Sequence, residues 1–374
     1  MRVLFLTQSG PTGASSRYRV YQYLPTLLAQ GHSWWIFPAV PGVLHNAYFF
    51  SRSKSLKILL SIVVAFRRVM QLFLVPFADV VFIQKPLLPP GWPNLTGWMR
   101  ILARKVIFDF DDAIFLPPTN HARLAPPAAW LVAASVYQHR FAHAARNADL
   151  VLAGNEFLAE EARKVQPHVE VLPTVVDTQR FCPVRRRVAG VPGQRVTIGW
   201  MGSPSTAHYL EEIRPVIQEI SQRFPIQWVF IGASSLAPHA LADGNAQFRS
   251  WSYQTEVADL QSFDIFISPL RNTAWEEGKC GLKALTAMSV GLPVVASSVG
   301  VHKQIIQDGV NGLLARDAFE WSDKISQLAA NVDLRKKMGE AARKTVEQNY
   351  SLMSAAPRFT ALLFSSIVIA RRPR

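Results

Sequence analysis

Three carboxylates, Asp109, Asp111 and Asp112, crowd the end of one apolar run, "VIFDFDDAIF" at 106–115. Acids at that spacing suit four chemistries: phosphoryl transfer from an aspartate, metal chelation, ribose recognition or sugar transfer. A capped, solvated turn would carry them too. An aspartyl-phosphate mechanism built on strand-D-x-D opens its domain with that motif and follows it with paired aspartates. Here Asp109 comes four strands in, and no such pair follows. Ribose recognition needs a glycine fingerprint about 20 residues earlier, which is missing. A metal-holding D-x-D serves a single domain and leaves the second half of this chain without a role. Ionised acids can instead accept hydrogen bonds from sugar hydroxyls with no metal, or act as a base. Asp111 and Asp112 are the candidates for such substrate contact, a catalytic role that rests on the family resemblance given below, and Asp109 can serve as a turn cap.

Three further loops carry chemistry. In "TQSGPTGASSRYRVYQYL" (7–24), Gly10 and Gly13 precede Ser15 and Ser16 at a helix start, with Arg17 and Arg19 directly after. Glycines let backbone approach an anion, and the N–H groups of a helix start favour negative charge. In "IGWMGSPSTAHYLEEI" (198–213) the design repeats, with Gly202 at a strand end and Ser203, Ser205 and Thr206 offering hydroxyls. Each serine alone also reads as an ordinary N-cap. The third loop, within 267–315, brings Glu276, Glu277, Gly278, Lys279 and Gly281 to a helix start that carries Lys283 outward. Lys279 there suits a diphosphate. Two tight glycine turns, "VGV" around Gly300 and "DGVNGLLA", follow.

The elements that position these loops alternate. Apolar runs at 2–7, 33–37, 79–84, 105–110, 149–153 and 169–172 read as buried parallel strands, with helices over 15–30, 54–74, 93–104, 126–147 and 155–165. Residues 173–195, rich in Pro, Gly and Arg, read as a linker. The rhythm restarts with strands at 196–201, 226–232, 264–270, 293–298 and 312–315. Helices are expected near 206–223, 254–262, 280–290, 302–307, 317–330 and 333–348. Domains 1–172 and 196–350 follow, with a helix in 351–374 that can pack back on the first. In such α/β sheets ligands sit beyond the carboxyl ends of the strands, and two facing domains leave a cleft for a small molecule.

Bulk properties agree. The chain has 374 residues, 49% of them apolar, and a formal charge of +14, which calls for an anionic partner. No nucleic-acid motif is present, leaving a phosphorylated small molecule, a lipid surface, or both. Two cysteines cannot make a disulfide framework and suit a reducing cytosol. The run 54–77 is the nearest to a membrane span but is broken by Arg67 and Arg68. On a helical wheel Lys54, Lys57, Ser61, Arg67, Arg68 and Gln71 share one side. The helix can therefore lie in an anionic membrane interface or cover a sheet edge. The apolar-then-basic tail at 361–374 carries the same two readings.

The run "GLKALTAMSVGLPVVASSVGV…DGVNGLLA" resembles the donor half of GT-B glycosyltransferases of the large retaining group, glycosyltransferase family 4. "IGWMGSPST", "FDFDDAIF" and the Arg17/Arg19 pair resemble one branch of it. The resemblance implies an α/β, GT-B architecture of two facing Rossmann-like domains with an interdomain cleft. It implies transfer of a sugar, with retention, from a nucleotide-diphosphate sugar bound by the second domain to a sugar or lipid-linked acceptor on the first. No cofactor, no metal and no nucleic acid are implied. The donor contacts would be Gly13, Arg17, Gly202, Ser203, Lys279, Thr286 and Gly300. The setting would be cytoplasmic, peripheral on an anionic membrane, in cell-envelope polysaccharide or glycolipid assembly. Two departures support a rival, a catalytically weakened GT-B protein that binds a nucleotide or partner without turnover. The family's glutamates eight apart fall on Gly278 and Thr286, and the Arg and Lys it places after the first strand of the donor domain are absent from "GSPSTAHYL".

Overall fold

The computed structural model describes residues 1–44, 48, 53–88, 92, 94–117, 127–184, 195–233 and 245–365. Residues 185–194 of the expected linker and the end of the tail (366–374) lie outside the described residues. The chain forms two compact units: Met1–Thr174 with Gly278–Cys280 and Ala355–Arg374, and Val175–Glu277 with Gly281–Ser354.

The first unit is built on six strands: β1 (Arg2–Thr7), β2 (Ser33–Pro38), β3 (Val80–Gln84), β4 (Val106–Phe110), β5 (Leu150–Ala153) and β6 (Val169–Val171). Their spatial order is β2-β1-β3-β4-β5-β6, and every pairing is parallel. The runs are apolar on both faces because helices cover both faces of such a sheet; β3 and β4 are buried throughout. Gln84 is in register with Asp109, so the loops that leave β1, β3 and β4 emerge along one carboxyl edge.

The second unit repeats the plan with β7 (Val196–Met201), β8 (Ile226–Ile231), β9 (Ala246–Arg249), β10 (Ile265–Ser268), β11 (Val294–Ser297) and β12 (Leu313–Ala315), in the order β12-β11-β10-β7-β8-β9. Trp200, Trp228, Ile217 and Ile325 are fully buried in its core. Strand β9 is absent from the sequence expectation. It is an edge strand whose residues alternate in burial, so "AQFR" offers no continuous apolar run.

Helix boundaries differ where proline intervenes. The expected helix 15–30 is Ala14–Arg19, a 3-10 turn Tyr21–Tyr23, and Leu24–Ala29 with Pro25 in its first turn. The expected helix 206–223 is a 3-10 segment Pro204–Ile213 followed by Arg214–Arg223, with Pro215 at its start.

The helix Lys54–Gln71 is inverted relative to a core helix. Leu60, Val64, Ala65, Arg68 and Gln71 face the fold, while Ile58, Leu59, Ile62, Val63, Phe66, Val69 and Met70 are exposed. Arg68, expected on a solvated basic side, is fully buried. It donates to the carbonyls of Thr7 (2.6 Å) and Phe37 (3.0 Å), capping the ends of two strands. Burial, with Arg67 beside it, lowers its pKa to about 9. The two arginines do not interrupt the helix: Ser55–Phe77 has a mean hydropathy of 2.1 and is long and apolar enough to cross a membrane by length and composition. Phe73 and Phe77 continue the exposed face, and Trp98 and Ile101 extend it from the helix Thr96–Leu102, which packs on that turn.

The helix Leu352–Phe364 closes the first unit. Phe359 stacks on Tyr23 at 4.1 Å and meets the Phe82 ring edge-on at 6.0 Å, while Lys105 Nζ donates to the carbonyls of Leu362, Leu363 and Ser365. Replacing a buried aromatic by alanine costs about 3–5 kcal/mol. Phe359→Ala is therefore expected to lower the urea midpoint of the first unit sharply, and an unchanged midpoint would show that the C-terminal helix is dispensable to it.

Candidate active site

The carboxyl edge of the first sheet holds a continuous polar network. Asp109, inside β4 on the face opposite Phe108 and Phe110, is fully buried. Its carboxylate accepts from Arg19 Nε at 3.1 and 3.2 Å and from Arg19 Nη2, and Arg19 Nη1 donates to Leu172 O. Burial works against the Arg19 charge, but Asp109 outweighs it and raises the guanidinium above its ordinary pKa. Asp109 is a structural partner of Arg19 rather than a cap of its own turn. Removing one half of such a pair strands a buried charge at a cost of about 3–5 kcal/mol.

One residue on, the chain leaves the strand and the acids turn outward. Asp111 lies within 2.7 and 2.6 Å of Ser15 Oγ and pairs with Lys85 Nζ at 2.9 Å. Asp112 takes the same ammonium at 2.5 Å and Lys279 Nζ at 2.9 Å. Its side chain is 27% exposed against 13% for Asp111, so Asp112 is the more open acid. Burial disfavours the Asp112 charge, but Lys279 and Lys85 together hold the carboxyl well below the usual range. The Lys85 ammonium, although desolvated, is raised by Asp111 and Asp112.

Lys85 is the one non-glycine residue with positive φ among the described residues, at 59°. Its N–H donates to Asp109 O at 2.8 Å. Strain of this kind persists only where surroundings over-determine it, and it gathers at functional sites. A residue before proline ordinarily takes an extended, negative φ, so the sequence gives no sign of this conformation. Behind the acids, Gln84 Nε2 donates to Ser15 Oγ (3.0 Å) and Ser16 Oγ to Gln84 Oε1 (2.7 Å). Gly13 is obligatory, since a Cβ there would stand 1.9 Å from Ser9 Oγ. Arg17 is buried with its guanidinium over the Tyr18 ring at 4.9 Å.

The segment Gly278–Cys280 belongs to this same network. Asn155 Nδ2 donates to Lys279 O at 3.0 Å, and Cys280 Sγ to Asp111 O at 3.3 Å. A Cβ at Gly278 would meet Ala113 N at 2.9 Å and its Cβ at 2.8 Å, which accounts for glycine where the resembled family has a glutamate. Burial and Asp111 push the Cys280 thiol far up, so it is no thiolate nucleophile.

In the second unit the loop after β7 is an N-cap with additions. Ser203 N donates to Thr206 Oγ1 (3.2 Å) and Thr206 N to Ser203 O (2.9 Å). Lys283 reaches back over this loop: its Nζ donates to Thr206 Oγ1 at 2.9 Å and lies 4.6 Å from the Trp200 ring centroid. Glu276 is fully buried and accepts from Tyr209 OH at 2.6 Å and from Thr273. Gly300, at φ +52°, lies against the backbone of Glu276 and Glu277, where a Cβ would come within 3.2 Å. Thr286 donates to the carbonyls of its own helix, Leu282 (3.1 Å) or Lys283 (3.0 Å). His302 is buried and its pKa falls to about 4, chiefly through burial, so it is neutral at pH 7. Its Nδ1–H donates to Ser297 O at 3.0 Å.

The structure thus gathers Asp111, Asp112 and Lys279 in one network of the first unit, with Gly13 and Arg17 on the adjoining loop. Gly202, Ser203, Thr286 and Gly300 lie on the second. Lys85 escapes a sequence reading, as do the partners of Lys283 and Glu276, because those partners lie 26 to 77 positions away.

Two parallel six-stranded Rossmann-like sheets define the GT-B fold, and solved structures share it. Sucrose-phosphate synthase from Thermosynechococcus elongatus matches with a TM-score of 0.70 and 15% identity, over 96% of this chain and 98% of that one. Anabaena HepE in complex with UDP-glucose matches with a TM-score of 0.65 and 14% identity, over 97% and 99%. At that identity the likeness is one of fold. Residues 195–331, most of the second unit, match the profile described as Glycosyl transferases group 1. A curated relative, the D-inositol 3-phosphate glycosyltransferase of Corynebacterium jeikeium, is 27% identical over 225 residues, 52% of this chain and 52% of the relative. The chain spans about half the length of the curated relatives it matches.

The network has a pH signature. Because the Asp112 carboxyl is held low in the fold, its charge stabilises the native state above the unfolded carboxylate pKa, about 4. That contribution drains away as pH falls further. Asp112→Asn is expected to lower the urea midpoint at pH 7, with the gap to wild type shrinking steadily below about pH 4. A gap independent of pH would mean that the two lysines do not favour the ionised acid.

Proposed function

We propose that this protein is a glycosyltransferase that moves a sugar from a nucleotide-diphosphate sugar to a glycolipid or polysaccharide acceptor, with retention and without a metal. The family match over 195–331 carries the reading, because it spans the strand-end loops of the second sheet from Gly202 to Gly300. The HepE structures with UDP and with UDP-glucose support a nucleotide sugar as the donor. Gly202, Ser203, Thr286 and Gly300 are assigned to the donor. Gly13, Arg17 and Lys279 are assigned to anionic groups, and Asp111 and Asp112 to sugar hydroxyls. The low-held carboxyl of Asp112 makes it a weak proton acceptor but a good hydrogen-bond acceptor.

The exposed face of Lys54–Gln71 gives the acceptor a setting. Phe66 is 64% exposed, Phe73 69% and Ile101 75%, a large apolar patch for a soluble surface. Arg68 ties the helix to the ends of β1 and β2, so it lies along the fold rather than leaving it to span a bilayer. A face of aliphatic residues rimmed by Trp98 and flanked by Lys57 and Arg67 suits an anionic membrane interface. We place the protein on the cytoplasmic side of such a membrane, in cell-envelope assembly.

A second reading, binding without turnover, is favoured by the intrahelical hydrogen bonds of Thr286 and the tight packing at Gly278. Incubation with a panel of nucleotide-diphosphate sugars and membrane lipid acceptors separates the two. Release of the nucleoside diphosphate, reduced about 10–100-fold by Asp112→Asn through loss of a charged hydrogen bond, is expected. Donor binding with no sugar release from any member of the panel would establish the second reading instead. For the membrane, Ile62→Glu with Phe66→Glu changes only exposed positions. The double variant is expected to stay in solution when wild type sediments with anionic vesicles, and equal sedimentation would remove the helix from the interface.

A further inference from the structure

We infer that Lys85 is a positioning residue for the transfer: its one ammonium holds Asp111 and Asp112 side by side, so that the two acids act on the sugar as one unit. The inference rests on the reading of these acids as sugar contacts.

Two consecutive carboxylates repel each other and, on a chain leaving a strand, tend to point apart. Here a single cation draws them together. Lys85 Nζ lies 2.9 Å from Asp111 Oδ1 and 2.5 Å from Asp112 Oδ2. The rest of each carboxylate is fixed separately. Ser15 Oγ stands 2.7 and 2.6 Å from the two oxygens of Asp111, and Lys279 Nζ stands 2.9 Å from Asp112 Oδ1. A carboxylate oxygen has two lone pairs, so acids held in this way are oriented without losing their capacity to accept from hydroxyls.

The ammonium is delivered at a conformational cost. Lys85 follows β3 at φ 59°, in the left-handed region, although it carries a Cβ and precedes Pro86. Its N–H donates to Asp109 O at 2.8 Å, and its side chain is buried. The preceding residue serves the same acids, since Gln84 Nε2 donates to Ser15 Oγ at 3.0 Å. The end of β3 thus reaches Asp111 twice, directly from Lys85 and through Ser15 from Gln84. A buried cluster of charges adds little net stability. A left-handed backbone held for so small a structural gain is accounted for by the site it organises.

The charges facing Lys85 are Asp111 and Asp112, with Lys279 on the other oxygen of Asp112 and the Arg19–Asp109 pair within β4. Cys280, against Asp111 O, stays a neutral thiol. Burial disfavours the Asp112 anion, and Lys279 and Lys85 together overcome it. Removing Lys85 therefore lets that carboxyl rise toward the ordinary range.

The test uses the donor and acceptor that turn over in the panel above, with kcat and acceptor KM followed by nucleoside diphosphate release from about pH 4 to about pH 9. Lys85→Met removes the charge and keeps an unbranched stem. It is expected to lower kcat/KM about 10–100-fold, to move the acid limb of the profile upward, and to leave the calorimetric affinity for the nucleoside diphosphate unchanged. Lys85→Arg should recover part of the rate and return the limb. Because Lys85 acts through the acids, adding Lys85→Met to Asp111→Asn with Asp112→Asn should cost less than about twofold more. Urea midpoints at pH 7 show which variants are folded, and Lys85→Gln takes the place of Lys85→Met if the latter does not unfold cooperatively. An unchanged rate in the folded variant, an unmoved acid limb, or a loss that multiplies in full with that of the acids overturns the positioning role and leaves the transferase reading standing. Full activity of the Asp111→Asn, Asp112→Asn variant overturns the assignment of the acids and the inference with it. If wild type releases no nucleoside diphosphate with any member of the panel, the transferase reading itself fails and the inference falls too.

Discussion

The polar edge of the first sheet depends on one buried ion pair. Asp109 sits in the middle of an apolar sheet, where an isolated carboxylate is very costly, and Arg19 brings the opposite charge to it. Such a pair contributes little net stability, but neither half can stand without the other. The first helix, which carries Arg19, is thereby fixed against β4, and the carbonyl of Leu172 is drawn in from the end of β6. Only with that frame in place do the next two acids leave the strand toward Ser15, Lys85 and Lys279.

What lies above the pair is a charge balance. Lys85 bridges Asp111 and Asp112, and Lys279 takes the remaining oxygen of Asp112. Two cations and two anions share a few ångströms at low solvent exposure, so each charge has its opposite beside it. Hydroxyl groups of a sugar are suitable guests for such a site, since they exchange hydrogen bonds without adding net charge. The second unit has a different character: the hydroxyls of Ser203, Ser205 and Thr206, the bare backbone of Gly202 and the faces of Trp200 and Tyr209 lie about the Lys283 ammonium.

Much of the fold was legible because parallel strands covered on both faces are continuous apolar runs, and eleven of the twelve strands were placed, most of them on such runs. The edge strand β9 did not, since half of its residues face outward. Proline decided the helix boundaries: Pro25 and Pro215 each end one segment and open another where periodicity alone suggests a single helix. The wheel of Lys54–Gln71 separated the two faces correctly but not their direction. Apolar residues are ordinarily turned inward, and only the hydrogen bonds of Arg68 and Gln71 reveal the reverse. At the site, the acids were visible as a cluster and Lys279 as a cation, whereas Lys85 and the pairing of both lysines with the acids were not. Pairing over 26 to 167 positions leaves no local trace.

Lys85 shows what this arrangement asks of a single position. Its left-handed backbone would suit glycine or asparagine, either of which would relieve the conformational cost. Both would remove the ammonium that holds two carboxylates. Arginine would retain a charge, but it would keep the unfavourable φ and exchange a compact point donor for a planar fork. No common side chain improves the backbone and the electrostatics together. Substitutions selected for stability at this residue and those selected for activity should therefore diverge, which makes it a natural place to observe a trade-off between the two.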